Sequence, residues 1–302
     1  MSIDIVADIG GTNTRICRIE DGHLNEATLQ KFKNDDFDSF DQVLERYGTD
    51  GVARLCIDIA GPVDENTARL TNRDWVFERS ALADRFGFQG VHIINDLQAQ
   101  GYGVWACDPF EKPPVIAAKY PRSGPKLVVN VGTGFNASPV YTVAGQAFVP
   151  QNEAGHVALA VPGMDHLTGT DGFLSVESLL SGRGFKNHMT DQSGTSFDQD
   201  ADIWDAVRDQ NTQAAQAFAS FAKGFGAVTG DLALTHLPFG GIFLVGGVAE
   251  AAAPLLNASG FEDGFKSKGR FGAFMDQFSV VLCDDPSNAL RGCQTYLAHH
   301  QA

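Results

Sequence analysis

Two stretches about half a chain apart share one grammar: an apolar strand, a glycine turn and a second strand. They are VADIGGTNTRICRIE (6–20) and KLVVNVGTGFNASPVYTV (126–143). Backbone amides of such a turn donate to phosphate oxygens, and glycine lets them approach without a Cβ in the way. No Gly-Lys-Ser or Gly-Lys-Thr follows Gly10-Gly11, so the first turn is not a P-loop. Gly132-x-Gly134-x-x-Ala137 fits the dinucleotide fingerprint, but that motif must open a helix. Here SPVYTVAGQAFV follows, which reads as strand, turn and strand, so the Rossmann reading fails on context. A single turn of this kind is an ordinary hairpin. A matched pair points to two phosphate-binding arms, with Thr12 and Thr133 adding hydroxyl donors. Asp8, just before the first turn, would repel phosphate unless a cation such as Mg²⁺ lies between.

The rest of the chain reads as alternating α/β structure. Strands are expected over 2–9, 14–20, near 27–32, and over 54–60, 91–94, 126–131, 139–143, 146–149, 241–245 and 279–283. Helices are expected over 37–47, from an N-cap at Ser80 to Phe86, through 203–233, and over 249–256 and 288–299. Residues 163–196 read as loops and short helices. At 302 residues, with 43% apolar and 20% charged, the chain can hold two domains with real cores. The net charge of −15 argues against broad nucleic-acid or anionic-membrane binding. The start of the chain shows no signal-peptide pattern, and no run approaches a membrane span, so a cytoplasmic location is expected. Cys17, Cys56, Cys107, Cys283 and Cys293 are scattered without a Cys-x-x-Cys, so neither a zinc knuckle nor a disulfide framework is expected.

Asp96 follows the apolar run VHII, which puts its carboxylate at a strand's C-terminal end. There it suits a general base, although Asn95-Asp96 also suits a helix cap.

Local motifs then add a resemblance. DIGGTNTR (8–15), AGPV (60–63) with TNRDW (71–75), IINDLQAQGYG (93–103), NEAGH (152–156), ESLLSGRGF (177–185), LVGGV (244–248) and KGRF (268–271) occur in order. Together they resemble the bacterial, proteobacterial-type ATP-dependent glucokinases of the hexokinase/actin-like superfamily. The resemblance implies a two-lobed actin-like ATPase/hexokinase (ribonuclease H-like) fold with ATP and sugar in the cleft between lobes. It implies a small lobe of residues 1–105 plus 287–302, a large lobe of 106–286, and hinges near 101–107 and 284–288. Cleft closure would keep water from the γ-phosphate. It further implies Asp96 as catalytic base, with Asn95, Asp96, Glu153, His156 and Glu177 on the sugar. ATP would meet Asp8, Gly10, Gly11, Thr12, Asn13, Gly132, Thr133, Gly134, Gly246 and Gly247, with Asp8 reaching Mg²⁺ through water. The implied reaction is phosphorylation of glucose at its 6-hydroxyl, by a homodimer.

The second turn departs from the family pattern, with Val131 for proline, Asn136 for glycine and Ala154 for the first glycine of EGGH. Asn136 is expected to tolerate a left-handed turn while crowding the phosphate or sugar. The alternatives are a kinase for another hexose or amino sugar, and a sugar-binding sensor without catalysis. The ROK-type sugar kinases commonly carry a cysteine-rich zinc motif that these cysteines do not supply. A metal held by Glu153 and His156 lacks a second ligand pair.

Overall fold

Ile3–Ile9 and Val52–Ile59 are nearly continuous apolar runs, and residues on both faces of each strand are buried. The structure, a computed structural model, describes residues 3–70, 73–161, 164, 173–209 and 212–300. Thr71 and Asn72 of the TNRDW motif, and part of the 163–196 stretch, lie outside the described residues.

The chain divides into two compact units: residues 1–106, 142–151 and 285–302, and residues 107–141 and 152–284. In the first, a five-stranded sheet runs in the order His23–Lys33, Asn13–Glu20, Ile3–Ile9, Val52–Ile59, Gly90–Asn95. The first three strands form an antiparallel meander and the last three are parallel. Ile5, Ala7, Ile9, Leu55, Ile57 and Ile59 face a core completed by Phe40, Leu44 and Phe77. Helices Asp96–Val104 and Asn288–His299 pack on each other, and the latter also packs on Ile3–Ile9 and Val52–Ile59.

The second unit repeats the plan. Phe135–Val143 pairs antiparallel with Lys126–Val131, which is followed by Ile242–Val245 and Val280–Leu282 in parallel and Pro114–Ile116 at the edge. Helix Thr212–His236 buries Phe218, Phe221 and Phe225 against Phe185 and Phe261, a helical spacing that fills this core.

Several expectations need correction. The helix expected to be capped by Ser80 begins at Arg79 instead, with Glu78 at the cap position making no side-chain cap bond and Arg79 N donating to the Asn66 carbonyl at 3.1 Å. The helix expected from Phe37 begins at Phe40, since residues 34–36 form a separate 3₁₀ turn and Phe37 is extended, its ring against Phe32. The stretch 203–233 is two helices, Asp200–Arg208 and Thr212–His236. Asp209, with ψ at 4°, ends the first of them. Residues 142–151 group with the first unit rather than with the large-lobe span that the resemblance implied. They are tied there by Trp105 Nε1 to Thr142 Oγ1 (2.9 Å), Gln98 Nε2 to Val149 O (2.8 Å) and Ala147 N to His299 Nδ1 (3.1 Å).

Candidate functional site

In the first unit, three parallel strands end in step: Ile9 is level with Ile59, and Ile59 with Asn95. The carboxyl edge of such a sheet is where open α/β folds bind ligands. This edge carries Asp8 with the Gly10–Asn13 turn, Asp58 with the AGPV segment, and Asn95-Asp96.

The turn is closed by Gly10 N donating to Asn13 O at 3.0 Å. Asn34, fully buried, braces it from beneath. Its Nδ2 donates to Gly10 O (2.8 Å), its backbone N donates to Thr12 O (2.9 Å), and its Oδ1 accepts from Thr14 Oγ1 (2.8 Å). Sequence reasoning missed Asn34, because nothing local marks a residue whose partners lie about twenty positions earlier. Asn34→Ala strands buried partners, so it is expected to cost roughly 2–4 kcal/mol of folding stability. Urea unfolding checks it.

Gly10 itself does not adopt positive φ, and a Cβ there would meet only Asn13 O, at 3.6 Å. The protein's own packing therefore does not demand glycine at this position. Asp8 Oδ2 accepts from Arg15 Nε at 3.0 Å, and Arg15 also donates to Pro286 O at 2.6 Å. Mg²⁺ needs only one or two carboxylates when phosphates and waters complete its shell. No cluster of three His, Cys, Asp or Glu suited to a metal occurs among the described residues. Asp8 beside the glycine turn would suit a Mg²⁺ ion that arrives with a nucleotide.

Asn95 and Asp96 stand at the start of a helix, and the capping role that the sequence offered is seen there. Asn95 is the N-cap of Asp96–Val104: its Oδ1 accepts from Leu97 N (3.0 Å) and Gln98 Oε1 accepts from Asn95 N (3.3 Å). Its Nδ2 donates to Gly61 O at 3.2 Å, which uses one of that amide's two protons. Asp96 is the first helical residue, and its Oδ1 accepts from Leu97 N at 2.8 Å.

Asp58 is a second residue that the sequence did not flag. It is level with Asp8 on the neighbouring strand and fully buried; its Oδ2 accepts from Cys293 Sγ at 3.4 Å, and its Oδ1 has no partner among the described residues. Burial, then the nearby charges of Asp8, Cys293 and Asp96, push its carboxyl well above the usual carboxylate range. A raised folded-state pKa means the native state holds this proton more tightly than the unfolded chain does. The stabilisation is complete below the ordinary carboxylate range and is lost as pH climbs through the folded value. Asp58→Asn cannot ionise, so its stability relative to wild type should improve as pH rises from the ordinary carboxylate range towards neutrality. Melting curves across that range check the trend; a constant difference contradicts it.

In the second unit, the Gly132–Gly134 turn is closed by Gly132 N to Gly134 O at 2.9 Å. Gly246 lies against it. Gly246 has φ +96°, and a Cβ there would stand 2.4 Å from Asn130 Oδ1 and 2.6 Å from Val131 O, so this glycine is demanded by the fold itself. Gly247 opens helix Gly247–Leu256, whose first amides are suited to an anion.

Glu177 sits in the short helix Val176–Leu179, capped by Ser175, and its Oε2 accepts from Phe135 N at 3.0 Å. A Cβ on Gly134 would stand 2.6 Å from the same oxygen, so Glu177 leans directly on this turn. Glu153 precedes the 3₁₀ turn Ala154–His156 and His156 ends it, both side chains largely exposed, with Oε2 and Nε2 3.9 Å apart. The left-handed backbone expected at Asn136 is not seen. Ala154 is not left-handed either, and the Asn136 side chain turns to the NEAGH loop: Nδ2 donates to Asn152 O (2.6 Å) and Oδ1 accepts from Ala154 N (3.0 Å). Thus Asp8, Gly10–Asn13, Asn95 and Asp96 gather in one unit, and Gly132–Gly134, Gly246, Gly247, Glu153, His156 and Glu177 in the other.

The family model described as Glucokinase matches residues 5–300. A glucokinase from Stenotrophomonas maltophilia (strain K279a) is 30% identical over 318 residues, covering 97% of this chain and 94% of the relative. The crystal structure of a glucokinase from an Antarctic psychrotroph superposes with a TM-score of 0.85 at 26% identity, covering 99% of this chain and all of that one. A Balamuthia mandrillaris glucokinase solved in complex with glucose superposes at 0.74, with 20% identity, covering 99% and 94%.

Proposed function

The chain belongs to the glucokinase family, and from that premise we propose that it transfers the γ-phosphoryl group of ATP to the 6-hydroxyl of glucose, yielding glucose 6-phosphate and ADP. The observation that supports the residue roles is Asp96, a carboxylate held at the carboxyl edge of the sheet that also carries the Gly10–Asn13 turn. Phosphoryl transfer is chiefly positioning and electrostatics, with one acceptor needed for the attacking hydroxyl's proton.

In this reading Asp96 takes that proton. The N–H groups of Gly10, Gly11, Thr12 and Asn13 and of Gly132, Thr133 and Gly134 hold phosphate oxygens, while Gly246 and Gly247 serve the adenosine side. Asn95, through its second amide proton, and Glu153, His156 and Glu177 pair with sugar hydroxyls. A polar site of this kind rejects analogues lacking a hydroxyl, since its buried partners would be left unpaired. Mg²⁺, when bound with ATP, neutralises phosphate charge, and Asp8 orients its water shell with Arg15 holding that carboxylate in place. A homodimer in the cytoplasm belongs to the same reading by likeness to the family. No described helix is long and apolar enough to cross a membrane.

A panel of hexoses, amino sugars and deoxy sugars in an ADP-release assay tests the substrate. Glucose should give the highest kcat/KM, with 2-deoxyglucose and mannose behind it. A higher value for an amino sugar would overturn the assignment of glucose.

A further inference from the structure

The site so far contains two kinds of sugar-facing residue. Glu177 is anchored by a hydrogen bond to the phosphate turn's strand, but among the described residues the side chains of Glu153 and His156 make only a 3.9 Å contact with each other. Long exposed side chains keep their rotamer freedom, so their aim depends on the backbone that carries them. That backbone is a short 3₁₀ turn with one internal bond, His156 N to Glu153 O at 3.1 Å, too little to define its own position.

Ala154 is packed in the core and the turn lies on helix Val176–Leu179; among the described residues two further contacts tie it to strand Phe135–Val143. Gly155 lies flat against strand Phe135–Val143, where an added Cβ would stand 2.2 Å from Phe135 O. Asn136, the next residue on that strand, straddles the loop: its Nδ2 donates to Asn152 O at 2.6 Å and its Oδ1 accepts from Ala154 N at 3.0 Å, as well as from Ala137 N at 2.8 Å. The bonded loop groups flank Glu153 on both sides. A backbone amide and carbonyl in a half-buried loop need partners, and here one side chain supplies both. Glycine at this position would leave both unmet.

We propose that Asn136 is a positioning residue: it clamps the 152–154 backbone to the strand leaving the second phosphate turn and thereby aims Glu153 and His156 at the substrate. It touches neither sugar nor nucleotide. The sugar half of the proposal rests on the glucokinase reading; the clamp does not.

Asn136→Gly and Asn136→Asp test it together. Aspartate keeps the acceptor for Ala154 N, but sets a carboxylate against Asn152 O where a donor stood. Steady-state kinetics should show the glucose KM rising about tenfold in Asn136→Gly, with the ATP KM within twofold of wild type. Asn136→Asp should fall at or beyond that value. Amide hydrogen exchange supplies a readout independent of turnover: the Ala154 amide should exchange at least tenfold faster in Asn136→Gly while strand Lys126–Val131 is unchanged. Unaltered exchange at Ala154, or a glucose KM and ATP KM that rise together, overturns the clamp as described. If the wild-type protein phosphorylates no hexose, the functional reading falls. Faster exchange at Ala154 then still upholds the clamp, and unchanged exchange rejects it. Should Asn136→Gly fail to fold, the same two readouts on Asn136→Asp decide the matter.

Discussion

Replacing Asp96 by Asn is expected to reduce kcat for glucose phosphorylation about a thousandfold while leaving the glucose Kd within a few-fold of wild type. The substitution separates the two roles at this strand end. Asp96 Oδ1 accepts from Leu97 N, and an asparagine Oδ1 can accept the same bond, while Asn95 continues to cap the helix through its own Oδ1. The fold should therefore survive, and only the capacity to take the hydroxyl's proton is removed. Titration calorimetry with glucose, set beside turnover in an ADP-release assay, measures the two quantities independently. Equal losses in affinity and turnover would assign Asp96 to sugar binding; unchanged turnover would remove it from the chemistry altogether.

Gly10→Ala should lower kcat/KM for ATP about a hundredfold without destabilising the protein. Gly10 has an ordinary φ, and the added methyl would meet only Asn13 O at 3.6 Å. A Gly-to-Ala change at a permitted φ leaves stability unchanged or raises it by about 0.4–1 kcal/mol. The whole cost then falls on the approach of a phosphate to the turn. Gly246→Ala makes the control. There φ is +96° and the Cβ would stand 2.4 Å from Asn130 Oδ1, so loss of roughly 3 kcal/mol or more of folding stability should come first. Thermal melts beside ATP kinetics distinguish the pair. If Gly10→Ala melts early and retains its ATP KM, the first turn is a structural hairpin and not a phosphate arm.

Features whose cause is local were readable from the chain alone. Both glycine turns, the strand that delivers Asp96, and the terminal helix Asn288–His299 follow from glycine spacing and apolar runs. What escaped was set by register and by distant partners. Asn34 braces the first turn from beyond the third strand, and Asp58 matters because parallel pairing levels it with Asp8. Arg79 opens a helix with its N–H on the Asn66 carbonyl, a partner that local sequence does not mark. Asn136 misled for the same reason. Its residue type suggested a left-handed turn, whereas its partners sit on a loop that only the folded strand brings within 3 Å.

The most direct test of the central claim is ³¹P NMR of the protein incubated with ATP, Mg²⁺ and glucose. The account predicts growth of glucose 6-phosphate matched one for one by ADP, with little ADP formed when glucose is omitted. ADP and inorganic phosphate appearing at equal rates with or without sugar, and no sugar phosphate, would contradict it.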